Sequence, residues 1–328
     1  MKEKITLITG ASGEIGQNLI SKFSKSSGKK IIAIDLNKLS TSNSIYSFYE
    51  SSILDDSLLS NLNDNYIIEE IYHLAAILST QAEKNPKIAE EVNVRGTLNL
   101  FNLALSQNIK NKVLTKFFFP SSIAVYNIST CNNKSKLITE NSYCNPITIY
   151  GKHKLFCENS GIAFDIYGNE INGHIDFRCI RFPGIISANS MPTGGTSDYA
   201  PELIHRAFKN TTYQCFVKNY TCLPFTVMPD AVNAIIKIMQ ADKEKLKKNV
   251  YNIQSFNPSI NELYEIIKLK FPKFKLSYNI DKKRQLIVDS WPNFVDDCQA
   301  KEDWGWNPIY NNLENAFKKY FEPTLGKK

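Results

Sequence analysis

Short apolar runs alternate with amphipathic stretches through the first half of the chain. Lys4-Ile5-Thr6-Leu7-Ile8-Thr9 reads as a buried strand, and Ile15 to Lys25 then takes helical spacing. Lys30-Ile31-Ile32-Ala33-Ile34 predicts a second strand that ends at Asp35. Glu70 to Ala76 predicts a strand running into a small-residue turn, and Pro86 opens a helical stretch to about Ser106. Phe117-Phe118-Phe119 leads a strand into Pro120-Ser121-Ser122, Tyr150 begins another helix, and Asp176 to Arg181 is a further strand. This alternation predicts the α/β class, a doubly wound parallel sheet with helices on both faces. Beyond Arg181 the pattern loosens. Pro192 to Thr196 is a loop, Pro229-Asp230 caps a helix to about Gln240, and Val250 to Ile253 is a strand. A helix follows near Ile260 to Lys270, then the segment Asp289 to Trp306. The expected organisation is a nucleotide-binding domain over 1–180 that also takes in roughly 225–255. A smaller, interleaved C-terminal substrate lobe covers 181–328.

Gly10-Ala11-Ser12-Gly13-Glu14-Ile15-Gly16 joins the first strand to the first helix. Gly10 permits the tight turn, Gly13 lets the backbone approach a phosphate, and Gly16 lets helix and strand pack closely. The helix start supplies N–H groups and a dipole that hold negative charge, which suits a pyrophosphate. Asp35 lies about 20 residues further on, where a carboxylate accepts from a ribose 2′-OH and repels a 2′-phosphate. NAD is therefore favoured over NADP, with Lys38 the one opposing charge nearby. The alternative is a plain strand-to-helix turn and a chance Asp.

The second signal is Tyr150-Gly151-Lys152-His153-Lys154. A tyrosine hydroxyl has an ordinary pKa of about 10, and a lysine on the same helix face, one turn later, can favour the phenolate. Ser122, at the end of the Phe117–Phe119 strand, is placed to hydrogen-bond a substrate oxygen. Each feature alone is weak: such Tyr–Lys pairs are common on surfaces, and a serine after a strand is usually a turn residue. Together with the glycine loop they point to hydride transfer between a nicotinamide and an alcohol, with Ser122, Tyr150 and Lys154 as the catalytic set.

Composition adds limits. The chain has 328 residues, 43% of them hydrophobic and 22% charged, enough for one to two domains with a large core. The net charge of +7 is spread along the chain, and Lys243 to Lys248 reads as a solvated helix end rather than a nucleic-acid patch. The seven cysteines form no C-x-x-C pair and the four histidines are dispersed, so no metal site is expected. Scattered thiols suit a reducing compartment. No apolar run is long enough to span a membrane. The first strand begins almost at once, so a cytoplasmic protein is expected, or a matrix one if a leader has been trimmed.

The early glycine loop, His73-Leu74-Ala75-Ala76, Asn93 within Val92 to Thr97, Ser121-Ser122 with Val125-Tyr126, and the Tyr150/Lys154 pair resemble the extended branch of the short-chain dehydrogenase/reductase superfamily. The resemblance covers most of the chain and implies a Rossmann-type fold with NAD as cofactor. It implies contacts to NAD from Gly10, Gly13, Glu14, Ile15 and Gly16, from Asp35 and Leu36, and from Ser52 and Ile53. Leu74, Ala75, Ala76, Asn93, Tyr150, Lys154, Pro183 and Ile185 complete that implied set. Helices near Pro86–Ser106 and Tyr150–Asn169 would pack a homodimer as a four-helix bundle.

Further segments narrow the resemblance. Arg181 to Ser187, Gly194 to Ala200, Leu223-Pro224, Met228 to Ala231, Asp289-Ser290-Trp291-Pro292, Asp296-Asp297 and Asp303 to Trp306 look like the epimerase-like L-threonine 3-dehydrogenases. The implied substrate is L-threonine, met by Ser79, Ser122, Tyr150, Gly195 and Thr196. The loop Gly194–Thr196 is expected to offer it backbone N–H groups and a hydroxyl. Ser79 has a plain alternative as a cap, and Trp291, Trp304 and Trp306 read as core aromatics. Sugar-nucleotide epimerases are the rival. They usually carry an Asn that helps hold the nucleotide diphosphate, where this chain has Gly184 beside Pro183. Other departures from the family pattern are Ser52 in place of an adenine-contacting Asp, Asn127 where Gly is common, Thr193 ahead of a reduced glycine triplet, and a longer Ile166–His174 stretch.

Overall fold

The computed structural model describes residues 2–26, 28–39, 45–129, 137–166, 173–192 and 194–326. Cys131, Thr193 and residues 167–172 of the Ile166–His174 stretch lie outside them. In chain order the strands are β1 Glu3–Thr9, β2 Ile31–Asp35, β3 Ser47–Glu50, β4 Tyr66–His73, β5 Lys116–Ser122, β6 Asp176–Phe182, β7 Gly184–Ile186, β8 Tyr213–Cys215, β9 Phe225–Val227, β10 Val250–Asn252 and β11 Leu276–Tyr278. The helices used below are α1 Glu14–Ser26, α2 Asp56–Asn65, α3 Ser79–Lys84, α4 Pro86–Glu90, α5 Gly96–Asn111, α6 Ile149–Ile166, α7 Tyr199–Phe208 and α8 Met228–Gln240.

Seven strands form one sheet in the order β10-β6-β5-β4-β1-β2-β3. β1 pairs in parallel with β2 on one side and β4 on the other. The chain order reverses there, so the loops after Thr9 and His73 open at a switch point, where such sheets bind ligands. This is the doubly wound Rossmann-type fold that the alternating pattern predicts.

The residues group into two compact units. One comprises Met1–Ser121, His153–Ile180 and Ile235–Val250. Its core joins the apolar faces of β1, β4, β5 and β6 to Leu100, Phe101 and Ala104 of α5. Phe101 packs at 4.6 Å from Phe117 and 5.7 Å from Phe177, ring centre to ring centre. Arg178 is also buried in this unit. Its guanidinium pairs with Asp176 at 2.6 Å and donates to the carbonyls of Ile238 and Ala241 at the end of α8.

The other unit comprises Ser122–Lys152, Arg181–Ala234 and Tyr251–Lys328. β7 pairs with β9 and β8 with β11, both in parallel. Arg181 donates to the Tyr126 hydroxyl at 2.8 Å and to the Glu140 carbonyl at 2.6 Å, and Tyr126 donates to Asn252 at 2.7 Å. All four residues are buried.

Two local expectations change. The stretch from Pro86 is not one regular helix: a π-helical turn, Glu91–Arg95, separates α4 from α5, which runs on to Asn111. Asp230 is inside α8 rather than its cap. Its carboxylate accepts the N–H groups of Ile309 and Tyr310, each at 2.9 Å, and so ties down a C-terminal segment.

Candidate active site

In the first unit the glycine loop closes directly on the loop after β4. Gly10 has φ of +67°, and a Cβ there would lie 2.5 Å from the Ala75 nitrogen. Glycine is thus required both by conformation and by the close approach of Leu74-Ala75. Gly13 donates to the Gly10 carbonyl at 3.1 Å, and Gln17 to that of Gly13 at 3.0 Å. The first-turn N–H groups of Glu14 and Ile15 have no acceptor within the helix. Gly16 is buried where α1 meets the loop, with the Ala11 carbonyl 2.7 Å from a Cβ built there.

Asp35 stands at the end of β2 as predicted. Its Oδ2 accepts from the Ser12 N–H at 2.9 Å and its Oδ1 from the Asn37 N–H at 2.8 Å. The carboxylate is therefore fixed in orientation beside the glycine loop. Leu36 next to it is 68% exposed. The Ser52 hydroxyl accepts from Leu54 at 3.1 Å, and Ile53 packs against Gly96. Ser79 is the first residue of α3, one position past the cap. Asn93 lies in the π-helical turn and grips Ile77 twice: its Oδ1 accepts the Ile77 N–H at 2.7 Å, and its Nδ2 donates to the Ile77 carbonyl at 2.9 Å. That clamp fixes the Leu74–Ile77 loop. A glycine cradle with no room for a Cβ, an open helix start and an oriented carboxylate beyond the second strand fit a dinucleotide.

Lys154 is buried in α6. Its ammonium donates to the Pro120 carbonyl at 2.6 Å and sits 4.5 Å above the Phe119 ring. Burial pulls its pKa down from the usual lysine value to about 8.

In the second unit Ser122 ends β5, and its hydroxyl oxygen accepts from Ala124 at 3.2 Å, capping the short turn Ile123–Val125. The turn role foreseen as the plain alternative for this serine is therefore real. It leaves the hydroxyl hydrogen to donate elsewhere. The start of α6 rests on that turn: a Cβ at Gly151 would collide with the Ala124 carbonyl and with Pro146. Glycine after Tyr150 thus brings the tyrosine's helix onto the serine turn. Burial pushes the Tyr150 phenol above its ordinary value.

Pro183 and Ile185 flank Gly184 in β7, whose N–H donates to the Pro224 carbonyl at 3.1 Å. The space beside Gly184 is filled by the ring of Phe225, which a Cβ at that position would strike. Phe225 itself is buried and packs edge-on against Tyr199 at 5.8 Å. In the glycine loop of this unit, Asp198 accepts both the Gly194 N–H at 2.8 Å and the Gly195 N–H at 2.5 Å. Arg284, stacked 3.3 Å over Phe216, donates to the Gly195 carbonyl. The two backbone donors expected to serve a substrate are thus held by Asp198, because a carboxylate one turn away satisfies both. Thr196 follows and is buried.

Sequence reasoning did not single out Phe225, Asp198 or Arg284 by role. Each acts through a partner distant in sequence or through a loop geometry with no motif.

A family model described as NAD dependent epimerase/dehydratase matches residues 6–253. The chain is 35% identical over 303 residues to the mitochondrial L-threonine 3-dehydrogenase of Bos taurus, covering 92% of this chain and 77% of that one. A solved structure described as a monomeric L-threonine 3-dehydrogenase from a metagenome is 35% identical, with TM-score 0.84 over 98% of both chains. The L-threonine dehydrogenase of Clostridium difficile is 31% identical, with TM-score 0.87 over 100% of this chain and 99% of that one. Fold, cradle and family model agree, and the chain belongs to the NAD-dependent epimerase/dehydratase family, the extended branch of the short-chain dehydrogenases/reductases.

Proposed function

We propose that this protein is an NAD-dependent L-threonine 3-dehydrogenase that oxidises L-threonine to 2-amino-3-oxobutanoate. The observation that carries the choice within the family is the Phe225 ring seated against Gly184. It occupies the space an Asn side chain would need, and with it goes one anchor for a nucleotide diphosphate. A small zwitterion needs no such anchor. Near full-length similarity to L-threonine dehydrogenases supports the same choice.

NAD, when bound, supplies the hydride acceptor. Gly10, Gly13, Gly16 and the α1 start hold its phosphates, Asp35 its ribose, and the Leu74–Ile77 loop with Asn93 the nicotinamide end. Ser122 donates to the threonine hydroxyl oxygen and orients it. Tyr150 takes the hydroxyl proton, and Lys154, four residues along the same helix, stabilises the phenolate by its charge. Ser79 and Thr196 meet the amino and carboxylate groups. In this role the Asp198–Arg284 clamp keeps the Gly195 backbone in place and presents Thr196.

The test is NADH formation with L-threonine, allo-threonine and serine, and chromatographic analysis of UDP-sugars, whose epimerisation or dehydration returns the hydride and leaves no net NADH. Threonine should be the efficient substrate, and Tyr150→Phe should abolish turnover while NAD still binds. Turnover of a UDP-sugar with threonine inert would establish the epimerase reading instead.

Homodimer formation belongs to the same reading. Ile88 of α4 and Phe156 of α6 are 60% and 49% exposed, an apolar pair on the helices that would form the bundle. Sedimentation equilibrium should give a dimer that Phe156→Glu dissociates. A monomer at every concentration, the state named for the metagenomic relative, would remove the dimer reading alone.

A further inference from the structure

His73 closes β4 and is buried, yet both ring nitrogens have partners. Nδ1 lies 2.8 Å from the Thr9 hydroxyl and Nε2 lies 2.8 Å from the Thr97 hydroxyl. The direction of each bond can be worked out. The Thr97 hydroxyl donates its single hydrogen to the Asn93 carbonyl at 2.6 Å. It must then accept from His73, so the proton is on Nε2. Nδ1 is left as an acceptor, and Thr9 donates to it. The Thr9 oxygen in turn accepts from the Ala75 N–H at 3.4 Å. Burial, helped by the charge of Lys154, lowers the His73 pKa to about 3, which agrees with a neutral ring.

The result is one proton-ordered chain: Ala75 N–H to Thr9, Thr9 to His73, His73 to Thr97, Thr97 to the Asn93 carbonyl. Its ends are the loop after β4 and the π-helical turn. The same Asn93 carbonyl accepts from Cys157 at 3.2 Å, one turn beyond Lys154 on α6. The Asn93 side chain returns to Ile77. Thr9 is the neighbour of Gly10. The chain therefore joins the glycine loop, the Leu74–Ile77 loop and the lysine helix through one imidazole.

We propose that His73 is a positioning residue, whose neutral Nε2–H form sets the register of the cofactor loops against the π-helical turn and the helix of Lys154. It touches neither cofactor nor substrate in this role, and the inference rests on the NAD-dependent reading but not on threonine as substrate. A chain that acts as a unit fails when any link is cut, and a second cut adds little.

The experiment uses Thr9→Val, Thr97→Val, the double variant, and Thr9→Ser and Thr97→Ser. NAD affinity is read by calorimetry, kcat and KM by NADH formation. Each valine variant should raise the NAD dissociation constant about tenfold, the double variant should do no worse than the weaker single, and the serine variants should stay within about twofold of wild type. Valine losses that multiply in the double variant, or valine variants that lose melting temperature with wild-type NAD affinity, overturn the proposal. Because NAD binding is read directly, an inert threonine would sink the substrate assignment and leave this test standing. Should the valine variants not fold, the nitrogen-15 imidazole spectrum of the wild-type protein decides. It should show His73 neutral with the proton on Nε2, and a charged ring or an Nδ1 proton refutes the chain.

Discussion

Within the proposed catalytic set, Lys154 is the group that burial brings toward neutral pH. Burial brings it to about 8 and pushes the Tyr150 phenol upward; on the proposed mechanism the two act as a pair, whose first proton would leave near 8. To accept the proton of an alcohol, the pair must already be one proton short. The rate of oxidation should therefore fall about tenfold for each pH unit below 8 and level off above it. A profile of kcat/KM for threonine checks this, and Lys154→Met should abolish that limb. A flat profile through 8 in the wild type refutes the assignment. Asp35 makes a second case at this scale. Asp35→Ala should weaken NAD binding and relax the preference against NADP, because the carboxylate oriented by Ser12 and Asn37 is what a 2′-phosphate would meet. Wild type preferring NADP would show that reading to be wrong. These residues were legible because their spacing is local: a glycine loop beside a strand, a tyrosine and a lysine on one helical turn. Phe225 and His73 were not. The partners of His73 are 64 and 24 residues away in sequence, and no pattern along the chain announces which hydroxyl a buried imidazole will meet.

Among the elements, the strands of the first half were readable because buried parallel strands are nearly continuous apolar runs. The π-helical turn was not readable, since the residues of Glu91–Arg95 suit an α-helix equally well. Only the clamp between Asn93 and Ile77 shows what the extra residue is for. Asp230 misled for a related reason: an acidic residue after a proline resembles a cap, but its carboxylate is taken by a segment 79 and 80 residues away. The end of α8 offers a measurable consequence. Arg178 satisfies Asp176 and two helix-end carbonyls from a fully buried position. Although burial alone raises the Asp176 pKa, Arg178 and Lys243 outweigh it and hold that carboxyl below the usual range. Arg178→Leu would leave the buried Asp176 carboxylate to Lys243, 3.3 Å away, and should cost about 3 kcal/mol of stability. Urea unfolding measures the loss. Denaturation unchanged from wild type would mean the pair contributes nothing net.

At the scale of the whole molecule, the nucleotide-binding unit is assembled from three separated stretches of chain, the last of them Ile235–Val250. Val250 opens β10, an edge strand of the seven-stranded sheet, and β6 precedes it only from Asp176 onward. The first five strands can pair as soon as they are made, but the sheet has no complete edge until Val250 to Asn252 have been synthesised. During translation the β5 edge stays uncovered until β6 is made, and the β6 edge until β10 is, each prone meanwhile to unwanted pairing. Nascent chains halted before Val250 should therefore depend on chaperones and fail to retain NAD, whereas chains released beyond it should resist proteolysis. The order in which the ribosome delivers the strands, rather than their number, sets the moment at which this enzyme can first hold its cofactor.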